Sequence, residues 1–488
     1  MKRIYKLSLL IYMCSIMLLI TACNKNPAYK DAEPFTNGFA TVQVDNYYGY
    51  LNEEGNLAIP AEYHAALPFF DGYAIVSKYS RWGVIDENNN TVIPLQYEEL
   101  EQSINNKYIA KKNGVYGIID KDNNIIVGFK SKSIPQLIYN NNNHEIYMIP
   151  DDKELSVGLI DLKNNFELPA DYGFITSSTN PNVLLLQNPN NVSMHKYGII
   201  NLENYKVIEP VYEEIPILTD HDTMWACMDG KWSEYTLDGE KVSDTCYDSV
   251  SECWYGLHSI ALDNKWGCMD SKGNVLIEPY YDSLDVVSEN LINATKHRNH
   301  HVLDSKGEEN KPLYSTIVSA LSDDYYCATP TNQGLEFKYI ILDKDGNPLF
   351  YSPYDILYTI GDDNFVVNDG VHSGCINSRG IVTLPFDYND ITTAGDYFIV
   401  SKNNKYGIVN KQNKFILDAK YTQIHSLNDD IYLVTDKEKC GLFNSTTETF
   451  TGLIYDDCKL GFDDKSNITV KKDGTWIFLD SDFKNIFE

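Results

Sequence analysis

Short apolar runs alternate with short polar turns along nearly the whole chain, and no run keeps helical spacing. FATVQV (39–44) and YAIVSK (73–78) alternate in polarity from residue to residue. WGVID (82–86) and NTVIP (90–94) are separated by an Asn- and Asp-rich break. Period-two patterning, crowded β-branched residues and turns such as NEEGN (52–56), DSKGN (270–274) and DKDGN (343–347) predict strands joined by tight turns. The i, i+3, i+4, i+7 stripe of an amphipathic helix is missing throughout, which excludes helix-pair repeats of similar period.

The pattern also recurs. RWGVIDENNNTVIPLQY (81–97) has degenerate copies whose aromatic slot falls at Tyr48, Trp82, Tyr116, Val157, Tyr197, Trp232, Trp266, His300, Tyr339, Ser373, Tyr406, Cys440 and Trp476. The usual step is about 34 residues. Gly follows the slot in nine of thirteen copies, while Trp232, His300 and Trp476 are among those without it. Asp or Asn stands four positions on in twelve of thirteen, and Tyr fifteen positions on in ten of twelve. Three slots held in register over so many copies predict an all-β tandem array. Each copy reads as three short antiparallel strands: the alternating run, the aromatic-Gly strand, and the strand leading to the closing Tyr. Such a unit cannot bury its faces alone, so copies must stack. A Gly inside a strand marks a bulge or a close approach, and the expectation is that a neighbouring aromatic ring lies over its bare backbone.

With Trp82-Gly83 and Trp266-Gly267 at its centre, the pattern resembles the WG-repeat family of bacterial proteins over about residues 35–488. The resemblance implies a repeat scaffold of binding or surface type and implies no reaction. The expected architecture is propeller-like blades, in one array or two sub-arrays; an open β-solenoid or superhelix is the alternative.

Residues 1–22 read as a lipoprotein signal peptide. Lys2, Arg3 and Lys6 precede the apolar run LSLLIYMCSIMLLI, and LITAC (19–23) places a small Ala22 before Cys23. The run is short for a transmembrane span. Cys23 is the expected lipid-attachment residue, 23–34 the lipidated start and polar tether, and 35–488 the repeat array of about thirteen copies. Losing three positive charges with the signal takes the net charge from −29 to −32. That excludes nucleic acid as a partner and leaves the acyl chains alone to hold the membrane.

Eight cysteines remain after Cys14 and Cys23, from Cys227 to Cys458. Export permits disulfides, Cys246–Cys253 among them. Cys268 and Cys375, however, fill a slot elsewhere held by Val84, Ile118 or Ile199, and read as small core hydrophobes.

The candidate chemistry is thin. His372 and Ser373 are adjacent on a strand and so face opposite ways, which forbids a dyad. HRNHH (297–301) lacks converging partner ligands. DKDGN (343–347) and DKDNN (120–124) lack the bidentate Glu of a calcium loop, with Tyr354 and Ser131 at that place. No catalytic residue, metal or cofactor is expected. The expected role is a non-catalytic, extracytoplasmic, membrane-anchored scaffold for an envelope protein or cell-wall glycan; a glycan-active propeller enzyme and a structural spacer are the alternatives. Contacts are expected from exposed aromatics and from the lengthened turns 150–156, 188–196 and 330–338.

Overall fold

A computed structural model describes residues 29–151, 156–189, 194–309, 314–331, 337–361, 364–395, 397–428, 430–460 and 468–487. Among these every regular element is a strand, and every pairing described is antiparallel. The strands form thirteen small sheets, the propeller-type blades expected from the repeat.

One correction concerns strand number. Eleven of the sheets have four strands rather than three. The additional strand is the short piece that follows a closing Tyr. Ala65–Ala66, for example, pairs with Tyr73–Lys78 at the start of the next blade. It is as short as two residues, too brief to carry an alternating pattern. The repeat array also begins before residue 35: Tyr29 is buried, and Asp31–Thr36 is the first strand of the first sheet.

The slots acquire geometry in the blade Ala65–Tyr97. Tyr73–Lys78 and Arg81–Asp86 form its central hairpin, and Trp82 faces the closing Tyr97 across the third and fourth strands. The same cross-strand pair joins Tyr48 to Tyr63, Tyr197 to Tyr212, Trp266 to Tyr281 and Tyr406 to Tyr421. Between Trp82 and Val84 the register jumps, because the fourth strand bulges over Gly83. A Cβ on Gly83 would lie 2.5 Å from the Ile93 carbonyl oxygen and 2.9 Å from the Leu95 nitrogen. Gly49, Gly158, Gly267 and Gly407 are likewise pressed by backbone of the same sheet. Backbone, then, covers the glycine, and the expectation of a neighbouring ring is corrected. Rings approach it only secondarily, as Phe129 does at Gly117, 3.0 Å from such a Cβ.

The Asp or Asn four positions on closes the next turn. Asp86 Oδ1 accepts the Asn90 and Asn88 backbone N–H groups at 2.8 and 3.0 Å, and Asn90 Nδ2 donates to Oδ2 at 2.9 Å. The Asn90 amide leads the interactions that hold the Asp86 carboxyl below the usual range. Asp270, Asp343 and Asp480 make the same turn. The calcium-like loops are therefore turn caps.

Blades are joined by apolar clusters and by polar reach from one to the next. Tyr50, Ile59, Tyr63, Phe69, Ala74, Val76 and Ile85 form one core across the first two sheets. The closing Tyr63 donates to Asn89 Oδ1 at 2.6 Å, in the following blade's turn, and the closing Tyr388 likewise donates to Asn413 Oδ1 in the turn of the blade after it. A second joint was not anticipated. The basic residue before the aromatic slot pairs with the acid after the closing Tyr: Lys231 with Asp248, Lys265 with Asp282 at 2.5 Å, and Lys338 with Asp355 at 2.8 Å. The acid's other oxygen accepts an N–H from the next blade's central hairpin, Asp263 for Asp248 and His297 for Asp282, both at 2.7 Å. These exposed pairs contribute little each, but they fix the angle between neighbours.

The strands gather into two compact units. The first comprises Met1–Leu100, Asp436–Leu442 and Phe450–Glu488. In it the earliest and latest strands meet: Phe35 lies 5.2 Å from Phe478, and Lys459 Nζ pairs with both Asp31 and Glu33 at 2.7 Å. Tyr29, Phe35, Val42, Leu51, Trp476 and Phe478 form their common core. The second unit comprises Glu101–Thr435 and Phe443–Thr449, and repeats the blade-to-blade packing just described.

Candidate functional site

Within the second unit, a cleft of about 320 Å³ opens where the first hairpins of three successive sheets come together. Tyr255 comes from the turn Trp254–Leu257. Ser288, Glu289 and Asn290 come from the turn after Ser283–Ser288. Asp323, Tyr326, Lys344 and Asp345 come from the following blade. Three carboxylates, one ammonium, an amide and two phenol rings thus share one opening.

Two features set this cleft apart from ordinary turns. Tyr255 occupies the left-handed region with φ 53°, where the matching hairpins hold Asn37, Asp71 and Asn105. A bulky side chain there carries backbone strain, yet Tyr255 is 51% exposed. Tyr205 has a similar φ of 56°, but its ring stacks on Phe166 at 4.1 Å and its hydroxyl donates to Asp161 at 2.7 Å, so contacts offset its strain. On the cleft floor, Ser288 is only 6% exposed and its hydroxyl has no hydrogen-bond partner. The Tyr326 hydroxyl stands beside it and interacts with it, and burial raises the Tyr326 pKa.

In the first unit a cleft of about 280 Å³ is lined by Asp31, Glu33, Thr41, Tyr48 and His64. Its two carboxylates are already held by Lys459. Asp161 anchors a buried network: His144 Nδ1 and Tyr205 lie at 2.7 Å and Asn164 Nδ2 at 2.9 Å. Burial alone would raise its pKa, but the hydrogen bonds from Tyr205, Asn164 and His144 outweigh that and hold it at about 2. This network bridges two sheets.

The sequence candidates fall as follows. Cys23 lies outside the described residues, as does much of each lengthened turn, 150–156, 188–196 and 330–338. Ser373 is buried, and its hydroxyl lies 3.3 Å from Asn368 Nδ2, while His372 sits exposed in a turn. His297 is in a central hairpin, and His301 Nδ1 lies 2.8 Å from Glu309. Among the described residues no group of three or more His, Cys, Asp or Glu is placed to hold a metal ion. Cys227 through Cys458 are free thiols, with Cys268 and Cys375 fully buried in the slot that elsewhere holds Val or Ile. No helix among the described residues is long and apolar enough to cross a membrane.

The cleft residues escaped the sequence because they are far apart along the chain. The one signal was Tyr255 standing where other copies carry Asn or Asp.

Comparison with solved structures gives faint likenesses. A crystallised eukaryotic initiation factor is 12% identical, with 64% of this chain and 94% of that one covered, at TM-score 0.26. The extracellular domain of BT4673 from B. thetaiotaomicron is 8% identical over 94% and 82%, at TM-score 0.20. PorZ, a surface component of the type-IX secretion system of Porphyromonas gingivalis, is 8% identical over 92% and 85%, at TM-score 0.20. All three are too slight to carry a role to this chain. No curated protein matches it. Residues 26–48, 48–81, 82–116, 197–232, 266–296, 374–406 and 406–440 match the family described as the WG containing repeat. Those stretches carry the aromatic-Gly pairs and their bulged blades, and the chain is a WG-repeat protein.

Proposed function

We propose that the chain is a non-catalytic scaffold, anchored outside the cytoplasm through a lipid on Cys23, that binds a protein or glycan of the cell envelope. One observation carries the reading: a signal-like segment ending in LITAC leads directly into a long array of rigid repeats. Rigid blades present their turns at fixed spacing, and turns on a rigid scaffold are the usual seat of binding. The strongly acidic surface keeps the array off anionic headgroups, leaving it free to meet partners beyond the bilayer.

The test is Cys23→Ala in the producing cell. Loss of lipid labelling and release from the membrane fraction is the expected outcome, and retention at wild-type level overturns the anchor. Crosslinking the membrane-held protein identifies what it touches. Degradation of wall polysaccharide by the purified chain overturns the non-catalytic reading.

A further inference from the structure

We infer that the cleft lined by Tyr255, Glu289, Asn290, Asp323, Lys344 and Asp345 is a glycan subsite. The inference rests on the binding role above and names the ligand class for one place in the array.

Its size comes first. At about 320 Å³ it lies at the low end of small-ligand sites, roughly 300–1,000 Å³, which suits a short saccharide segment. Its chemistry comes second. Sugar hydroxyls both donate and accept. The cleft offers acceptors in Glu289, Asp323 and Asp345, a donor in Lys344, and an amide with both capacities in Asn290. A site for a cationic peptide has no use for Lys344, and a site for an anion has no use for three carboxylates. Ser288 is the third point: a hydroxyl buried on the floor with no partner is unfavourable until something polar enters. The fourth is Tyr255, whose strained backbone presents an exposed ring at the mouth, beside an exposed Trp254. An aromatic face is the surface on which the apolar C–H face of a sugar ring stacks.

The roles follow. Tyr255 is the platform. Asp323, Glu289 and Asp345 accept from ring hydroxyls, Lys344 and Asn290 donate, and the Ser288 hydroxyl bonds the deepest polar atom of the ligand.

The test uses the full chain in detergent, titrated by calorimetry with soluble β-linked tetrasaccharides of glucose and of N-acetylglucosamine, and with oligolysine as the peptide control. At least one tetrasaccharide should bind and oligolysine should not. Tyr255→Asn places in the left-handed position a residue that tolerates it, so it should raise the melting temperature while weakening saccharide binding by about tenfold or more. A purely structural Tyr255 would not give that opposed pair of changes. Asp323→Asn, which keeps shape and removes charge, should weaken binding several-fold. The inference is overturned if neither tetrasaccharide binds, if oligolysine binds instead, or if Tyr255→Asn binds as wild type does. A Tyr255→Asn protein that still crosslinks to envelope partners while losing saccharide supports the subsite. A wild-type chain that crosslinks normally but takes up no saccharide refutes the subsite and leaves the scaffold role standing.

Discussion

The blades Ala65–Tyr97 and Ser283–Leu303 start from the same repeat and end differently. The first has Gly83 after its aromatic slot, a bulge over that glycine, and four strands. The second has His301 there and three strands among the described residues, with a bridge from Leu303 to Glu309. The next blade has Ile340 in that place and keeps four strands by a different register: Tyr339, Ile340 and Ile341 face Ser352, Tyr351 and Phe350 in unbroken order. The lesson is that the glycine does not hold the sheet together as such. It admits the two additional residues that let the fourth strand bulge, and with Ile340 in its place the strand is drawn straight. The cleft sits against these two departures from the pattern, since Ser288, Glu289, Asn290, Asp323, Lys344 and Asp345 belong to their turns.

The largest expected effect breaks or confirms that comparison directly. Gly83→Ala forces a Cβ into the Ile93 carbonyl and should cost about 3 kcal/mol, read as a loss of stability in urea titration. Ser233, in the same slot, already carries a Cβ and pairs straight across with Cys246. Ser233→Ala should therefore cost less than about 1 kcal/mol. Equal costs at the two positions would refute the account of the bulge.

A smaller effect separates two versions of the turn residue. Asp86 is an exposed cap, whereas Asp161 is fully buried and receives several donors. Its folded pKa, about 2, lies below the ordinary value of 3.8. Its contribution is therefore complete above pH 4 and is lost as pH falls toward 2. Hydrogen exchange should show strands Glu145–Asp151 and Val183–Gln187 losing protection in that window. Asp161→Asn should lower stability by about 2 kcal/mol at neutral pH and remove this part of the acid dependence.

The smallest effect sharpens the comparison by dividing it. Tyr63 closes one blade and donates to a turn of the next, whereas Tyr314 opens a blade and donates to a turn of its own. Tyr63→Phe and Tyr314→Phe should each cost about 1 kcal/mol. A marked difference in thermal unfolding between them would show that a hydroxyl bond between blades and one within a blade are not equivalent.

Much of the blade was legible in residue order. The aromatic slot and the Tyr fifteen on are recoverable because they face each other across two adjacent strands, and the Asp four on because it closes the turn between them. These are local relations, and spacing carries local relations. The partner of Gly83 was misread because a bulge in the strand after it leaves no residue type to see. The fourth strand was missed because Ala65–Ala66 is too short to show a period. The Lys231–Asp248 joint was present as a basic residue before the slot and an acid after the Tyr, but only its link to the Asp263 amide gives the pair a purpose. The cleft left only one trace, Tyr255 in place of Asn or Asp, since Tyr255 and Asp345 come together only when blades stack.

Lys459 and Phe478 complete the packing of a strand laid down at Asp31, more than four hundred residues earlier. During synthesis, that opening strand pairs at once with Phe39–Val44 but must wait for nearly the whole chain before Lys459 and Phe478 arrive. Contacts of such separation are the slowest to form. The middle blades can settle as they emerge, while the leading edge stays exposed to pairing with the wrong neighbour. A chaperone that shields a bare β-edge would therefore act on the strand Asp31–Thr36 for the longest time.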